Sequence, residues 1–274
     1  MKLLAFLREK YQGQYSVKQL KKIIDAKGCT VNGKVETIST RMLDRKDVVT
    51  INPDLLVGAD LSCEILYEDD SFLICNKSAG LISENKTFQD LFKQKSLFLV
   101  HRLDKETSGV LILAKSEALK EKMIPLFREK SIKKTYLAIV DGIPKKESGK
   151  IHTFLEKKLE LPGKSVYGSS KEERGKEAIT FWKLLKKGKD AALLLCEPVT
   201  GRTHQLRVHL LESGHPILGD HTYGKKFKSS FSPLRHLLHA YSIAFIHPIN
   251  KKELKITAKP PKDFLSALKF LKLS

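Results

Sequence analysis

What most constrains this chain is a series of short apolar, β-rich segments that begins at Cys63 and recurs almost to the end of the sequence. "CEILYE" and "SFLICNK" flank Asp69-Asp70, a pair that favours a turn, and together they predict a hairpin. "GVLILAK", "KKTYLAIVDG", "AALLLCEPV" and "LLHAYSIAFIHP" add further strand candidates. Helical patterns are fewer and lie between them. They fall around Thr87 to Lys95, Ser116 to Lys130 with Pro125 as a kink or stop, Thr203 to Ser213 closed by Gly214, and the late "DFLSALKFLKL". The stretch from Lys157 to Lys176, "KKLELPGKSVYGSSKEERGK", mixes glycine, serine, proline and charge, and is expected to be a long surface loop. The predicted class is α+β, with a large, mainly antiparallel mixed sheet flanked by helices.

The first fifty or so residues follow a different pattern. Leu3/Leu4/Leu7 and Val17/Leu20/Ile23/Ile24 recur at helical spacing, with Ser16 as the N-cap of the second helix and Gly28 just past its end. In "CTVNGKVE" the pair Asn32-Gly33 sits where a tight turn belongs, and "DVVTI" follows as a strand. Residues 1–52 are therefore expected to form a small α/β unit, 53–62 a linker, and 63–274 the main domain. Lys18, Lys21, Lys22, Lys27, Lys34, Arg41, Arg45 and Lys46 form either a cationic surface or an ordinary solvated face.

Charge bears on partners. Lysine and arginine number 50 against 31 acids, a formal net charge of +19, which points to a polyanion, with nucleic acid ahead of an acidic membrane surface. The apolar stretch in "MKLLAFLREK" is much shorter than a secretory h-region, and no run approaches a membrane span. Cys29, Cys63, Cys75 and Cys196 lack CxxC spacing, so reduced thiols and a cytoplasmic location are expected. No HExxH occurs, and His204 and His209, five apart, are poorly placed to share an ion, so no metal site is expected.

Two stretches hold candidate chemistry. In "VHRLDKETSG", Val100 to Gly109, Asp104 follows an apolar run and stands between Arg102 and Lys105, cations that favour its ionised form. Such a carboxylate suits a nucleophile or an electrostatic stabiliser. Thr107, Ser108 and Gly109 can pin the loop in one shape. By itself the stretch is also read, more simply, as a surface turn with a structural ion pair. The second stretch, "TGRTHQLRVHL", turns at Gly201 into a helix with Thr203 as the expected cap. Thr203 and Arg207 share one face and Gln205 and His209 another, while Arg202 and His204 stand at the helix start, where phosphates bind.

Taken in order, "ILYEDDSFLICNKSAGL", "VHRLDKETSGVLILAKS", "KKTYLAIVDG", "TGRTHQLRVHLLESGHPILGDHTYG" and "LLHAYSIAFIHP" strongly resemble the RluA-type pseudouridine synthases, which isomerise specific uridines in RNA. Residues 1–52 resemble the small RNA-binding module named after the fourth small-subunit ribosomal protein. One departure is Ser78 in "NKSAGL", where the family usually has proline.

The resemblance implies the pseudouridine synthase fold and makes Asp104 the catalytic aspartate. Tyr136 becomes the tyrosine that packs on the target base and a candidate for proton transfer at C5, and Arg207 the partner of the aspartate. Arg102 is implied to hold RNA once the uridine has turned out. Lys77, Arg202 and His204 are implied as phosphate or supporting contacts, and Lys18, Lys21, Lys22 and Lys34 as the RNA-binding lysines of the N-terminal module. No cofactor is expected, because the reaction has no net redox change. Ribosomal RNA of the large subunit is the expected partner, with transfer RNA as the alternative and a monomer as the expected state. A competing reading is an RNA-binding factor that keeps the fold without the chemistry, although Asp104, Tyr136 and Arg207 are all present. A zinc nucleobase deaminase would need a His/Cys ligand set with a neighbouring glutamate, which is missing.

Overall fold

The computed structural model describes residues 1–25, 28–51, 62–161, 164–171, 174–224 and 226–273. Nearly all of the expected linker, and Lys27, lie outside the described residues.

Near the N-terminus, helices α1 (Leu3–Lys10) and α2 (Val17–Asp25) precede strands β1 (Cys29–Val31), β2 (Lys34–Val35) and β3 (Val49–Ile51), paired in the order β2-β1-β3. Leu3, Leu7, Leu20, Ile23, Ile24, Cys29, Val31 and Val49 form one buried cluster; of the helical pattern read from the sequence, Leu4 only packs against that core and Val17 is exposed. Ser16 caps α2 through a reciprocal box: its hydroxyl accepts the Gln19 N–H, while Gln19 Oε1 accepts the Ser16 N–H at 2.8 Å. Asn32 (φ 52°) and Gly33 (φ 76°) both take left-handed conformations, as a tight β-hairpin turn requires.

From Cys63 onward the chain builds a large sheet in the order β10-β9-β11-β12-β8-β13-β7-β5-β4. The expected hairpin is β4 (Cys63–Glu68) with β5 (Phe72–Lys77), and the other apolar runs are β7 (Ser108–Ala114), β8 (Lys133–Asp141), β12 (Ala191–Pro198) and β13 (Leu238–Ile246). A short β6 (Phe98–Leu99) pairs with β7, and β14 (Glu253–Thr257) with β13. The strand pairings are antiparallel except that of β13 with β7.

The alternation of β7 separates two cores. Leu111 and Leu113 pack with Leu73, Phe88, Leu103 and Tyr136, whereas Val110, Ile112 and Ala114 pack with Phe72, Ile74, Met123 and Phe245. Successive side chains of a strand point to opposite faces, so both faces of the sheet centre are covered.

The segment expected to be a long loop is instead sheet. β9 (Ser148–Leu161) and β10 (Lys164–Ser169) form an edge hairpin, and β11 (Lys176–Lys187) returns along β9. Water covers much of an edge hairpin, so its lysines and glutamates need no apolar alternation, and its backbone pairing leaves little trace in the sequence.

The helices also differ in detail from expectation. α3 (Asn85–Phe92) starts earlier and stops at Lys93, which is left-handed. α4 (Glu117–Arg128) is capped by Ser116 and carries Pro125 inside its last turn. α5 (Gln205–Glu212) begins after Thr203, which caps nothing; the residue at its N-cap is His204. α6 (Lys262–Phe270) supplies Phe264 and Ala267 to the core under β8 and β12. No helix among the described residues is long and apolar enough to cross a membrane.

Candidate active site

Asp104 lies in the loop between β6 and β7, and that loop is fastened at nearly every residue. Ser83 Oγ donates to the Leu103 carbonyl at 2.8 Å and accepts the Leu103 N–H. The Asp104 carbonyl accepts the Thr107 N–H at 3.0 Å. Lys105 O accepts from Gly80 N at 2.8 Å and from Lys77 Nζ at 3.1 Å, and Glu106 O accepts from Arg235 Nη1 at 2.9 Å. Thr107 Oγ1 is 2.8 Å from His236 Nε2, and Ser108 Oγ is 2.9 Å from His239 Nδ1. His239 Nε2 donates to Ala258 O, so its Nδ1 accepts the Ser108 hydroxyl hydrogen. Burial holds both imidazoles below their ordinary range, His239 at about 4, and both are therefore neutral.

Gly109 completes the fastening. At φ 116° it lies where β7 meets β13 in parallel, and a Cβ would run into the Ala240 carbonyl.

This geometry gives Lys77 the supporting one of the two roles implied for it and not the phosphate contact. Its exposure is 0%, and its three ammonium hydrogens go to Ser78 O, Leu81 O and Lys105 O at 2.9, 3.0 and 3.1 Å. It braces the Asp104 loop from beneath and has no path to a phosphate. Burial, outweighing nearby negative charge, lowers its pKa to about 8.

The partner of Asp104 comes from α5. Arg207 Nη1 donates to Asp104 Oδ2 at 3.0 Å, while its Nε and Nη2 grip Asp220 at 2.6 and 2.9 Å. Burial disfavours the guanidinium charge, but the hydrogen bonds and charges of Asp220 and Asp104 outweigh it and raise its pKa. Side-chain exposures of 7% for Arg207, 1% for Asp220 and 26% for Asp104 define the division of labour. Asp220 is the buried counter-ion; Asp104 is the carboxylate that is partly open to solvent. The Tyr223 ring lies 5.0 Å from the guanidinium carbon and adds a cation–π contact.

α5 is itself aimed by a buried polar network. Gln205 donates to Ile179 O and Thr180 Oγ1, both at 3.0 Å, and accepts from Thr200 Oγ1 and the Arg202 N–H. His209, neutral with its pKa lowered to about 4 by burial, bridges Thr180 on β11 and Thr153 on β9. Gln205 and His209 thus share the face expected of them and lock the helix to the sheet, leaving Arg207 to reach Asp104.

Tyr136 is half-buried on β8, paired with Cys196 and Ala240, and packs against the core that contains Leu103. Burial, and then the Asp104 charge, raise its pKa, so it remains a phenol. Arg102 is exposed two residues before Asp104, whereas His101 turns inward, accepting the Ile112 N–H at 3.1 Å. Arg202 is exposed and donates through Nε to Glu177 O at 2.8 Å. His204 Nδ1 is 2.8 Å from Tyr223 Oη, and its Nε2 is 3.9 Å from Asp104 Oδ2. The structure thus brings Asp104, Arg207 and His204 together. Lys18, Lys21, Lys22 and Lys34 are exposed, while Arg41 is engaged by Glu36 at 2.7 Å.

Sequence reasoning missed Asp220, Tyr223, Tyr167, His236, His239, and Arg235 with its partner Asp263. Each acts through contacts distant in sequence, and the only local sign was the crowding of Asp220 and Tyr223 in "GDHTYG".

A carboxylate held by a buried arginine on a braced, partly exposed loop is an arrangement suited to chemistry on a sugar or a base. Residues 71–212 match the family described as RNA pseudouridylate synthase. The ribosomal large subunit pseudouridine synthase C of Buchnera aphidicola subsp. Baizongia pistaciae is 40% identical over 76% of this chain and 70% of its own length. That of Rickettsia felis is 35% identical over 88% of each chain. A solved structure, human RNA pseudouridylate synthase domain containing 4, superposes with a TM-score of 0.65 at 28% identity, over 80% of this chain and 97% of that one. The chain belongs to the RNA pseudouridylate synthase family, as an isomerase that converts uridine in RNA to pseudouridine.

Proposed function

We propose that this chain modifies uridine in ribosomal RNA of the large subunit, with Asp104 as catalytic carboxylate, Arg207 as its partner and Tyr136 against the target base. The observation that carries the reading is the 3.0 Å bond from Arg207 to the one carboxylate of its pair that is open to solvent. The names of the 33–40% identical relatives support the ribosomal target.

Isomerisation breaks the N1–C1′ bond, rotates the uracil and joins C5 to C1′. Positive charge develops at C1′ while the base gains negative charge. Asp104 can attack C1′, attack C6 of the base, or remove the 2′ proton, and each route uses a fixed anion beside the sugar. Arg207 aims that carboxylate through the 3.0 Å charge-assisted bond from its Nη1. The uridine first leaves its stack, at a cost of a few kcal/mol. Arg102, exposed beside Asp104, is placed to occupy the vacated position, and Tyr136 to cover the extruded base. Leu103, packed in the Tyr136 core, helps to exclude water.

Residues 1–52 act in this reading as an RNA-binding module through Lys18, Lys21, Lys22 and Lys34, with Arg202 as a further phosphate contact. The alignment over 94% of this chain with an RNA pseudouridine synthase of Mycoplasma pneumoniae reaches into that segment. The chain is taken to work as a cytoplasmic monomer.

The test is tritium release from RNA labelled at uracil C5. Wild type should release tritium from large-subunit ribosomal RNA, and Asp104→Asn should release none. Undiminished release by Asp104→Asn would refute the catalytic assignment, and release from transfer RNA alone would reassign the substrate.

A further inference from the structure

The turn that braces the Asp104 loop has a second side. Lys77 ends β5 and stands opposite Cys63, the first residue of β4, while Cys75 lies two residues before it. Side chains two apart on a strand, and those paired directly across strands, share a face, so Cys63, Cys75 and Lys77 project to the same side. Both cysteines reach one core there: Cys75 is buried with Leu73, Leu111 and Leu113, and Cys63 packs against that cluster. Ser78 Oγ donates to the Ser62 carbonyl at 2.7 Å and ties the start of β4 to the end of β5.

The Cys63 sulfur has surroundings that suit negative charge. It accepts the Cys75 S–H and the Ser78 backbone N–H, and the Lys77 ammonium adds its field. The Cys75 hydrogen bond first, then that of Ser78 and the Lys77 charge, outweigh burial and hold the Cys63 thiol below the ordinary cysteine range. Cys75 moves the opposite way, because it donates to Cys63 and is buried, so the proton of the pair stays on Cys75. Proline, usual in the family at position 78, has neither the N–H nor the hydroxyl that Ser78 supplies. Of the four cysteines, all among the described residues, Cys63 alone is not buried; burial pushes Cys29 up to about 11 and Cys196 to about 12.

A partly exposed, charged sulfur in contact with a buried thiol is the arrangement of an attacking and a resolving cysteine. We propose that Cys63 and Cys75 form an oxidation site for hydroperoxides, and that closing their disulfide disturbs the Lys77 brace and slows the enzyme. In the first step the Cys63 thiolate attacks the terminal oxygen of ROOH and the O–O bond breaks. Cys63 becomes a sulfenic acid, and the departing RO⁻ takes up the proton that Cys63 had given to solvent, leaving as ROH. In the second step the Cys75 sulfur attacks the sulfenic sulfur, the S–O bond breaks, and the hydroxyl leaves with the Cys75 proton as water. Two thiols are oxidised to one disulfide and one peroxide is reduced. The disulfide removes the negative charge facing Lys77 and draws Cys63 away from Ser78, whose carbonyl is bound by the same ammonium that holds Lys105 O. The effect on rate rests on the catalytic reading of Asp104; the thiol chemistry stands apart from it.

The test treats the full chain with hydrogen peroxide, blocks free thiols by alkylation and maps tryptic peptides without reduction. No lysine or arginine separates the two cysteines, so wild type should give a single peptide that carries both, two hydrogens lighter and restored by dithiothreitol. Cys75→Ala should stop at the sulfenic acid, trapped on Cys63 by dimedone, and Cys63→Ser should give neither product. Ser78→Pro should slow the reaction about threefold near pH 7, because the thiolate fraction falls faster than its nucleophilicity rises. Tritium release by the oxidised wild type should fall about tenfold, as for a displaced catalytic group, and return with dithiothreitol. Cys63→Ser should keep its basal release in peroxide. Oxidation at Cys29 or Cys196 ahead of Cys63, a sulfenic acid that never closes onto Cys75, or unchanged release by the oxidised chain would overturn the inference. Absence of release from the reduced wild type would instead fault the proposed substrate, while the peptide map still reads the thiol pair.

Discussion

At the scale of single residues, the site rests on charges whose environments differ sharply. Asp220 is the more buried acid of the pair around Arg207, so its removal leaves a buried guanidinium that only Asp104 answers. Asp220→Ala should cost about 3–5 kcal/mol in denaturant-induced unfolding, the range for a broken buried ion pair. Lys77 gives a pH signature. Its folded pKa of about 8 lies below the ordinary 10.5, so the unfolded chain binds the extra proton between those values. Its contribution to stability is therefore unfavourable below pH 8 and improves as pH rises toward 10.5. Comparing wild type with Lys77→Met by urea unfolding from about pH 7 to 10.5 should show the balance move toward wild type by about 3 kcal/mol. At this scale Asp104 and Arg207 were legible in the sequence because each lies in an ordered motif. Asp220 and His236 were not, because their roles depend on chain segments that meet only in the fold.

Among the elements, α5 shows how a helix with polar residues on several faces is aimed. Its buried side includes Gln205, Arg207 and His209 as well as Leu206, Val208 and Leu210, so hydrophobic pattern alone does not fix its orientation. The His209 bridge between Thr153 and Thr180 does much of that work. His209→Ala should cost about 2–4 kcal/mol, since it opens a cavity and takes a partner from the buried Thr180 hydroxyl and the part-buried Thr153 hydroxyl, and thermal unfolding will report it. Tritium release should fall as well, because Arg207 then loses its fixed approach to Asp104. The central strands were legible because their apolar runs face two cores. The β9–β10 hairpin was not, because an edge in water can be built from lysine and glutamate. The Thr203 cap was mistaken because the left-handed turn at His204 moves the helix start past it. That turn costs about 1–2 kcal/mol, and the tyrosine contacts of the ring stabilise it.

For the whole molecule, a formal charge of +19 predicts binding that falls steeply with salt. Deleting residues 1–52 should weaken affinity for ribosomal RNA and flatten the slope of log K against log salt by about one for each phosphate that is no longer neutralised; an unchanged slope would argue against the module. The long-range fastening of the Asp104 loop carries a different consequence, one of timing. Its braces include His236 and His239, together with Arg235 held by Asp263 at 2.6 Å. On a translating ribosome those residues follow Asp104 by roughly seven to thirty seconds of synthesis. The N-terminal helices and strands, whose contacts are local, can fold well within that interval. If residues 1–52 hold RNA as proposed, a nascent chain does so before it can act on it, and its chemistry is switched on only when the last braces emerge.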